Sequence, residues 1–314
     1  MELLKEYRSF INGTYVEGPA EAKFPCINPT KGVQVATAYG ADSSVIDSAV
    51  NAAREAFKTF GKTSRTERAA LLRKMADRIE ENAEHLARAE SIDTGKPIGE
   101  SMGHLGACMQ MYRYFASVIE AREEKCLTYD NGNISCIIRE PLGVAALIVA
   151  WNCPPMLLSW KLAPALAAGN TVVIKPSASA VMGIMEAIRI WEDILPKGVI
   201  NVVLGKGSAI GDQLTGHPGV NKISFTGSVE VGKGIGAAAG ERIIPATLEL
   251  GGKSAAVIFD DANIDLAVQK CMMGVLSSAG EVCIADSRVL IQDTIYDRVV
   301  AILKEKFEKA KIYT

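Results

Sequence analysis

Val144-Ala145-Ala146-Leu147-Ile148-Val149-Ala150, cut off by Trp151-Asn152-Cys153-Pro154-Pro155, is the stretch on which the fold turns. A transmembrane helix needs about 20 consecutive apolar residues. The apolar run Leu142 to Trp151 has ten, and the two prolines end it. It therefore reads as a strand buried on both faces. Downstream, three further apolar strands are expected at Thr171–Ile174, Ile200–Leu204 and Lys222–Phe225, with helices at 156–168, 179–194 and 207–214 between them. Continuous apolar strands alternating with helices predict an α/β domain whose doubly wound parallel sheet is covered on both faces. No internal repeat or low-complexity tract interrupts the pattern.

Upstream of this sheet the periodicity is helical. Ile11-Asn12-Gly13 and Asn28-Pro29-Thr30-Lys31-Gly32 read as turns between short strands. After Asp42-Ser43 a helix is expected, with Val45, Ala49, Ala52, Ala53, Ala56 and Phe57 inward. Ser64-Arg65-Thr66-Glu67 fits a capping box. The helix it opens is expected to carry Leu71, Leu72, Met75, Ile79 and Leu86 on one stripe and to stop at Gly95-Lys96-Pro97. A third should run from about Ile98 to Ala121, with Leu105, Met109, Tyr112, Phe115 and Ile119 inward. Asn131-Gly132 then signals a hairpin of strands Lys125–Tyr129 and Ile134–Arg139, because that dipeptide suits positive φ angles. Its apolar edge could pair with another chain or within this one.

Composition narrows the partners. The 314 residues are 48% hydrophobic, enough for a substantial core, and the net charge of −2 gives no electrostatic reason to expect nucleic acid or an anionic membrane. Met1-Glu2-Leu3-Leu4-Lys5-Glu6-Tyr7 lacks the apolar core of a signal peptide. The seven scattered cysteines form no Cys-x-x-Cys pair and indicate neither a disulfide framework nor a zinc site. His85, His104 and His217 lie far apart, so no metal site is expected. A reducing cytoplasm is the expected location.

In such sheets, ligands sit beyond the carboxyl ends of the strands. Here those ends carry Asn152, an amide donor; Lys175-Pro176-Ser177, a cation and a hydroxyl; Gly205-Lys206-Gly207, a tight turn; and Thr226-Gly227-Ser228 at a helix start, where free amides favour a phosphate. Further on, Glu249-Leu250-Gly251-Gly252-Lys253 precedes a strand, a helix, a small-residue loop and Cys283. A thiol and a carboxylate able to activate water suffice for covalent chemistry on a carbonyl.

Taken together these motifs resemble the aldehyde dehydrogenase superfamily. Trp151-Asn152-Cys153-Pro154 looks like its Trp-Asn-x-Pro. The run Lys161 to Thr171 leading to Lys175-Pro176-Ser177 is close to its consensus, and Phe225-Thr226-Gly227-Ser228 and Glu249-Leu250-Gly251-Gly252-Lys253 are similar to its signatures. The resemblance implies a Rossmann-like doubly wound sheet plus an incomplete α/β catalytic domain. Residues 1–122 and 141–248 would bind the dinucleotide, 123–140 would be an oligomerisation-type hairpin, and 249–314 would begin the catalytic domain.

It further implies oxidation of an aldehyde with NAD or NADP through a Cys283 thiohemiacetal and thioester. Asn152 and the Cys283 amide would hold the oxyanion, and Glu249 would activate water. Lys175 would contact the adenosine ribose, and Ser228 with its helix N-terminus would hold the pyrophosphate. Trp151, Ser177, Gly207, Phe225, Gly227 and Leu250 would complete the cofactor site.

Departures from the pattern carry their own expectations. Family members run to nearly 500 residues, so the C-terminal part of the catalytic domain and an oligomerisation strand are absent. Exposed sheet edge, poor solubility or reliance on a partner, and a weakened homo-oligomer are expected. Glu281 stands where glutamine is usual and would oppose thiolate formation at Cys283 if the two are close. Ala178 replaces a glutamate that disfavours NADP, and Cys153 replaces a phenylalanine and reads as a space-filling residue. Two alternatives stand beside the dehydrogenase: a non-catalytic remnant that still binds cofactor, and Cys-dependent ester or thioester hydrolysis without hydride transfer.

Overall fold

In the computed structural model, residues 1–311 are described, and they divide into two units. The first comprises Met1–Thr226 and Glu230–Leu248; the second comprises Gly227–Val229 and the chain from Glu249.

The first unit opens with strands β1 (Glu6–Tyr7), β2 (Ser9–Ile11), β3 (Thr14–Val16), β4 (Lys23–Asn28) and β5 (Val33–Tyr39). Asn12 and Gly13, at φ 51° and 83°, turn β2 into β3. Four helices follow: α1 (Ser43–Phe60), α2 (Arg65–Glu81), α3 (Ala83–Thr94) and α4 (Ile98–Ala121). The Asp42 carboxylate accepts from Val45 N at the start of α1, and the Ser64–Glu67 capping box opens α2 with both reciprocal bonds formed.

Two helical expectations are corrected. The single helix expected to run to Gly95 is broken at Asn82, whose φ of −119° and ψ of 20° interrupt it. Its side-chain amide donates to Arg78 O (2.9 Å), offering the backbone a local alternative to the helix. Inward faces are also rotated by about one position. Ile46, Val50 and Phe60 are buried on α1, while Val45, Ala52, Ala56 and Phe57 are half-buried; on α4 Cys108 and Ala116 are buried, with Met109 and Phe115 at the margin.

Strands β6 (Cys126–Thr128) and β7 (Ile134–Cys136) form a two-stranded sheet of their own, shorter than expected and wholly exposed. Only Gly132 has positive φ (82°), so the connection is a wider loop rather than an Asn-Gly two-residue turn.

The central sheet is built from β8 (Val144–Ile148), α5 (Pro154–Ala167), β9 (Thr171–Lys175), α6 (Met182–Trp191), β10 (Ile200–Val202), α7 (Gly207–Gly216), β11 (Lys222–Gly227), α8 (Val229–Glu241) and β12 (Ala246–Leu250). Every residue of β8, β9 and β10 is buried, as a parallel sheet covered on both faces requires. Gly143 admits the chain to β8 at φ +122°; a Cβ there would lie 2.4 Å from Asn221 Oδ1, which accepts from Val144 N.

Strand order is β12-β11-β8-β9-β10-β2-β3, seven rather than the four read from the sequence. The chain steps from β8 through β9 to β10 and then returns to the other side of β8 as β11. A switch point therefore lies between β8 and β11, and ligands of open α/β sheets bind at such points. Antiparallel β2, paired with β10 at Phe10↔Val202, extends the far edge.

The second unit contains β13 (Ala255–Ile258), α9 (Ile264–Leu276), β14 (Arg288–Ile291) and α10 (Tyr296–Glu308). Strands β13 and β14 pair in parallel, Ala255 opposite Arg288. A small core of Ile258, Ile264, Val268, Cys271 and Val299 fixes the helices to the strands. Val257, Phe259, Leu266 and Leu290 are exposed. Among the described residues no helix is long and apolar enough to cross a membrane.

Candidate active site

Register brings the candidate residues of the first unit to one edge of the sheet. Phe225 lies opposite Ile148, and Ile148 opposite Lys175. Val149 N donates to Lys175 O (3.0 Å), which carries the pairing to the end of the strand. Trp151 and Asn152 leave β8 at that level, Ser177 follows Lys175, and Gly207 begins α7 after β10. Trp151 and Gly207 are exposed, Asn152 and Ser177 half-buried, and Phe225 buried under the edge.

Lys175 is the unusual member of this group. It is 4% exposed. Its ammonium donates to Pro176 O (3.1 Å), and among the described residues no carboxylate pairs with it. Burial alone pushes its pKa down from 10.5 to about 8. A buried cation held by one carbonyl retains donor capacity for a ligand hydroxyl. On β11, next to Phe225, Thr226 Oγ1 is buried without a hydrogen-bond partner. These two under-satisfied groups, on the two strands that flank β8 beside the switch point, fit a polyhydroxylated cofactor of the dinucleotide class.

The loop of Asn152 rests on a charge cluster that the sequence reading missed. Lys96 Nζ donates to Asn152 O and to Glu90 Oε1 (3.1 Å), and lies 3.5 Å from Cys153 Sγ. Glu90 Oε1 also meets His104 Nδ1 at 2.9 Å. The side chains of Lys96 and Glu90 are fully buried. Cys153 is buried against them and fills space beneath the loop. The signal was present: Glu90 stands four residues after Leu86, a charge on the buried face of α3. A second such carboxylate, Glu186, accepts from Tyr7 Oη (2.9 Å) and Leu4 N (3.1 Å) and meets His85 Nε2 at 2.8 Å.

In the second unit, Cys283 is exposed on the loop between α9 and β14. Ser278, Ala279 and Gly280 precede it with φ of 51°, 58° and 79°. Two adjacent non-glycine residues in the left-handed region store strain, and such strain gathers at functional loops. A Cβ on Gly252 would lie 3.9 Å from Cys283 O, so the segment following Glu249 and Leu250 passes this turn. Glu249 is exposed, and Glu281 is half-buried with Oε2 shielded from solvent. Gly227 and Ser228 belong to the same unit.

Residues 15–313 match the model of the aldehyde dehydrogenase family. An aldehyde dehydrogenase of Deinococcus radiodurans is 42% identical over 301 residues, 94% of this chain and 58% of its own length. The chain belongs to the aldehyde dehydrogenase family. A betaine aldehyde dehydrogenase of Staphylococcus aureus, solved with NAD+, shares 36% identity at a TM-score of 0.94 over 99% of this chain and 62% of that one. PnpE, also solved with nicotinamide adenine dinucleotide, shares 37% at 0.93 over 98% and 63%. The chain thus spans less than two thirds of the length of these relatives.

Proposed function

We propose that this chain carries the cofactor-binding and nucleophile-bearing parts of an NAD(P)-dependent aldehyde dehydrogenase. The observation that carries the reading is the buried, incompletely partnered Lys175 at the end of β9, one strand from the switch point, in a family member that keeps both Cys283 and Glu249. Residues 1–122 and 141–248 form the dinucleotide-binding part, and the segment from Glu249 supplies catalytic groups.

In this reading the Cys283 thiolate adds to the aldehyde carbon to give a thiohemiacetal. The Asn152 side-chain amide and the Cys283 backbone amide stabilise its oxyanion. A bound nicotinamide supplies the hydride acceptor. Cys283 is left as a thioester, and Glu249 takes a proton from the water that hydrolyses it to the acid.

Lys175 donates to a ribose hydroxyl, flanked by Ser177, while Gly227 and Ser228 meet the pyrophosphate. Trp151, Gly207, Phe225 and Leu250 line or support the same cofactor. Ala178 leaves the position after Ser177 without a carboxylate, so NAD and NADP are both accepted, with less than a tenfold preference in a fluorescence titration. The two relatives solved with the dinucleotide support NAD as the first cofactor to try. Betaine aldehyde, named for one of them, belongs in the first panel of aldehydes. The exposed β6–β7 hairpin is offered as a surface for pairing with a second copy.

Absorbance at the reduced-cofactor band, with a small aldehyde panel, tests the reading. Wild type should reduce the cofactor and Cys283→Ala should not. Ester cleavage lost in the variant, without cofactor reduction, would favour thiol hydrolysis instead. Cofactor binding with neither activity would favour a non-catalytic remnant.

A further inference from the structure

Of the seven cysteines, Cys26, Cys108, Cys153 and Cys271 are buried, and Cys126, Cys136 and Cys283 are exposed. Two of the exposed three are brought together. Cys126 and Cys136 face each other across the β6–β7 hairpin, with Sγ atoms 2.6 Å apart. The ladder explains why they meet. Tyr129 N donates to Asn133 O (2.8 Å) and Ile137 N to Lys125 O (2.9 Å), so the Cys126–Cys136 pair falls at a position without hydrogen bonds between its own residues. Such positions bring Cα atoms to about 4.5 Å and side chains closest, within the span a disulfide accepts. The hairpin pairs with no other strand among the described residues. A two-stranded sheet alone is marginally stable, so a covalent link between its strands would change its order appreciably.

We propose that Cys126 and Cys136 are a reversible dithiol–disulfide couple that exchanges with low-molecular-weight disulfides and staples this hairpin when oxidised. The thiolate of one cysteine attacks a sulfur of the small disulfide, forming a mixed disulfide and expelling one small thiolate. The facing cysteine loses its proton to solvent and attacks the protein sulfur of that mixed disulfide. The Cys126–Cys136 bond forms, and the second small thiolate leaves and is protonated by solvent. Two electrons pass from the protein thiols to the small disulfide, which becomes two thiols. This couple is independent of aldehyde chemistry.

The test uses the full chain carrying Cys283→Ser, which removes the remaining exposed thiol. The protein is equilibrated with oxidised and reduced glutathione, acid-quenched, alkylated, and read by intact mass and peptide mapping. The expected product has lost two hydrogens and two alkylatable thiols and yields a Cys126–Cys136 linked peptide. With reduced glutathione near roughly 0.1 mM, an effective concentration of about 1 mM or more across the hairpin favours this product over the mixed disulfide by about tenfold. Adding Cys126→Ser or Cys136→Ser should leave one glutathione stably attached to the survivor. Amide exchange within the hairpin should slow on oxidation. Glutathione retained on both cysteines, thiols that stay alkylatable under oxidising conditions, or a link to another cysteine or another copy would each overturn the proposal.

Discussion

Lys96 and Lys175 are two of the three lysines buried within the first unit, and they are buried differently. Lys96 lies beneath the Asn152 loop with a carboxylate, a backbone carbonyl and a thiol around it. Lys175, at the end of the neighbouring strand β9, has one carbonyl. A buried charge is tolerated when it is paired and hydrogen-bonded, and it is costly otherwise. Lys96 is therefore part of the scaffold that holds a loop in place. Lys175 carries an uncompensated cost, which a ligand would offset, and the proposed cofactor site rests on this.

Breaking the Lys96 side should have the largest effect. Lys96→Met strands Glu90 with His104 as its remaining partner, and removing one member of a buried pair typically costs about 3–5 kcal/mol. Urea unfolding should show a loss of that size. An unchanged midpoint would mean that the cluster does not hold the loop.

Replacing Lys175 should act in the opposite direction on stability. Lys175→Met removes a buried, poorly partnered charge, so the cofactor-free protein should gain between about 1 and 3 kcal/mol. The same change should weaken dinucleotide binding by about tenfold or more, the equivalent of at least one charge-assisted hydrogen bond. A variant that is destabilised yet binds cofactor normally would reverse the assignment of the two lysines.

The contrast also has a pH signature. The folded-state pKa of Lys175, about 8, lies below the ordinary value of 10.5. Between those values the unfolded chain keeps the proton and the folded chain does not. Stability should therefore rise with pH across this window, by about 3 kcal/mol in total. Below pH 8 the cost is fully present. The difference in stability between Lys175→Met and wild type, measured from pH 7 to 11, should shrink accordingly. A constant difference would show that Lys175 keeps its ordinary affinity for protons.

The smallest effect is expected at the thiol loop, where Cys283 is exposed. Glu281→Gln should raise the rate of Cys283 alkylation by iodoacetamide near neutral pH a few-fold, roughly the effect of removing one nearby carboxylate charge. An identical pH profile for the two proteins would show that Glu281 does not influence the nucleophile.

Local pattern made much of this legible. The buried strands from Val144 and Thr171 and the helix caps at Asp42 and Ser64 each follow from the sequence within a few residues. Much of what escaped depends on distance along the chain. The pairing of β2 with β10 joins Phe10 to Val202, and no local signal announces it. Cys126 and Cys136 meet only because the hairpin register places them opposite. Asn82 broke a helix whose apolar stripe ran on through Leu86, because its side chain competes with the backbone ladder. Of the proposed site, Asn152, Lys175, Glu249 and Cys283 are the residues that motifs single out. Glu90, Lys96 and His104 were not read, since their importance lies in meeting one another under a loop that α3, α4 and β8 create together.

One measurement reaches the central claim most directly. Glu249→Gln protein is mixed with aldehyde and NAD+, quenched in acid, and the mass of the Cys283 peptide is determined. If Cys283 carries the substrate and Glu249 activates the water that releases it, an acyl adduct accumulates on Cys283 only when aldehyde and cofactor are both present. No adduct under those conditions, or one that forms without cofactor, would contradict the account.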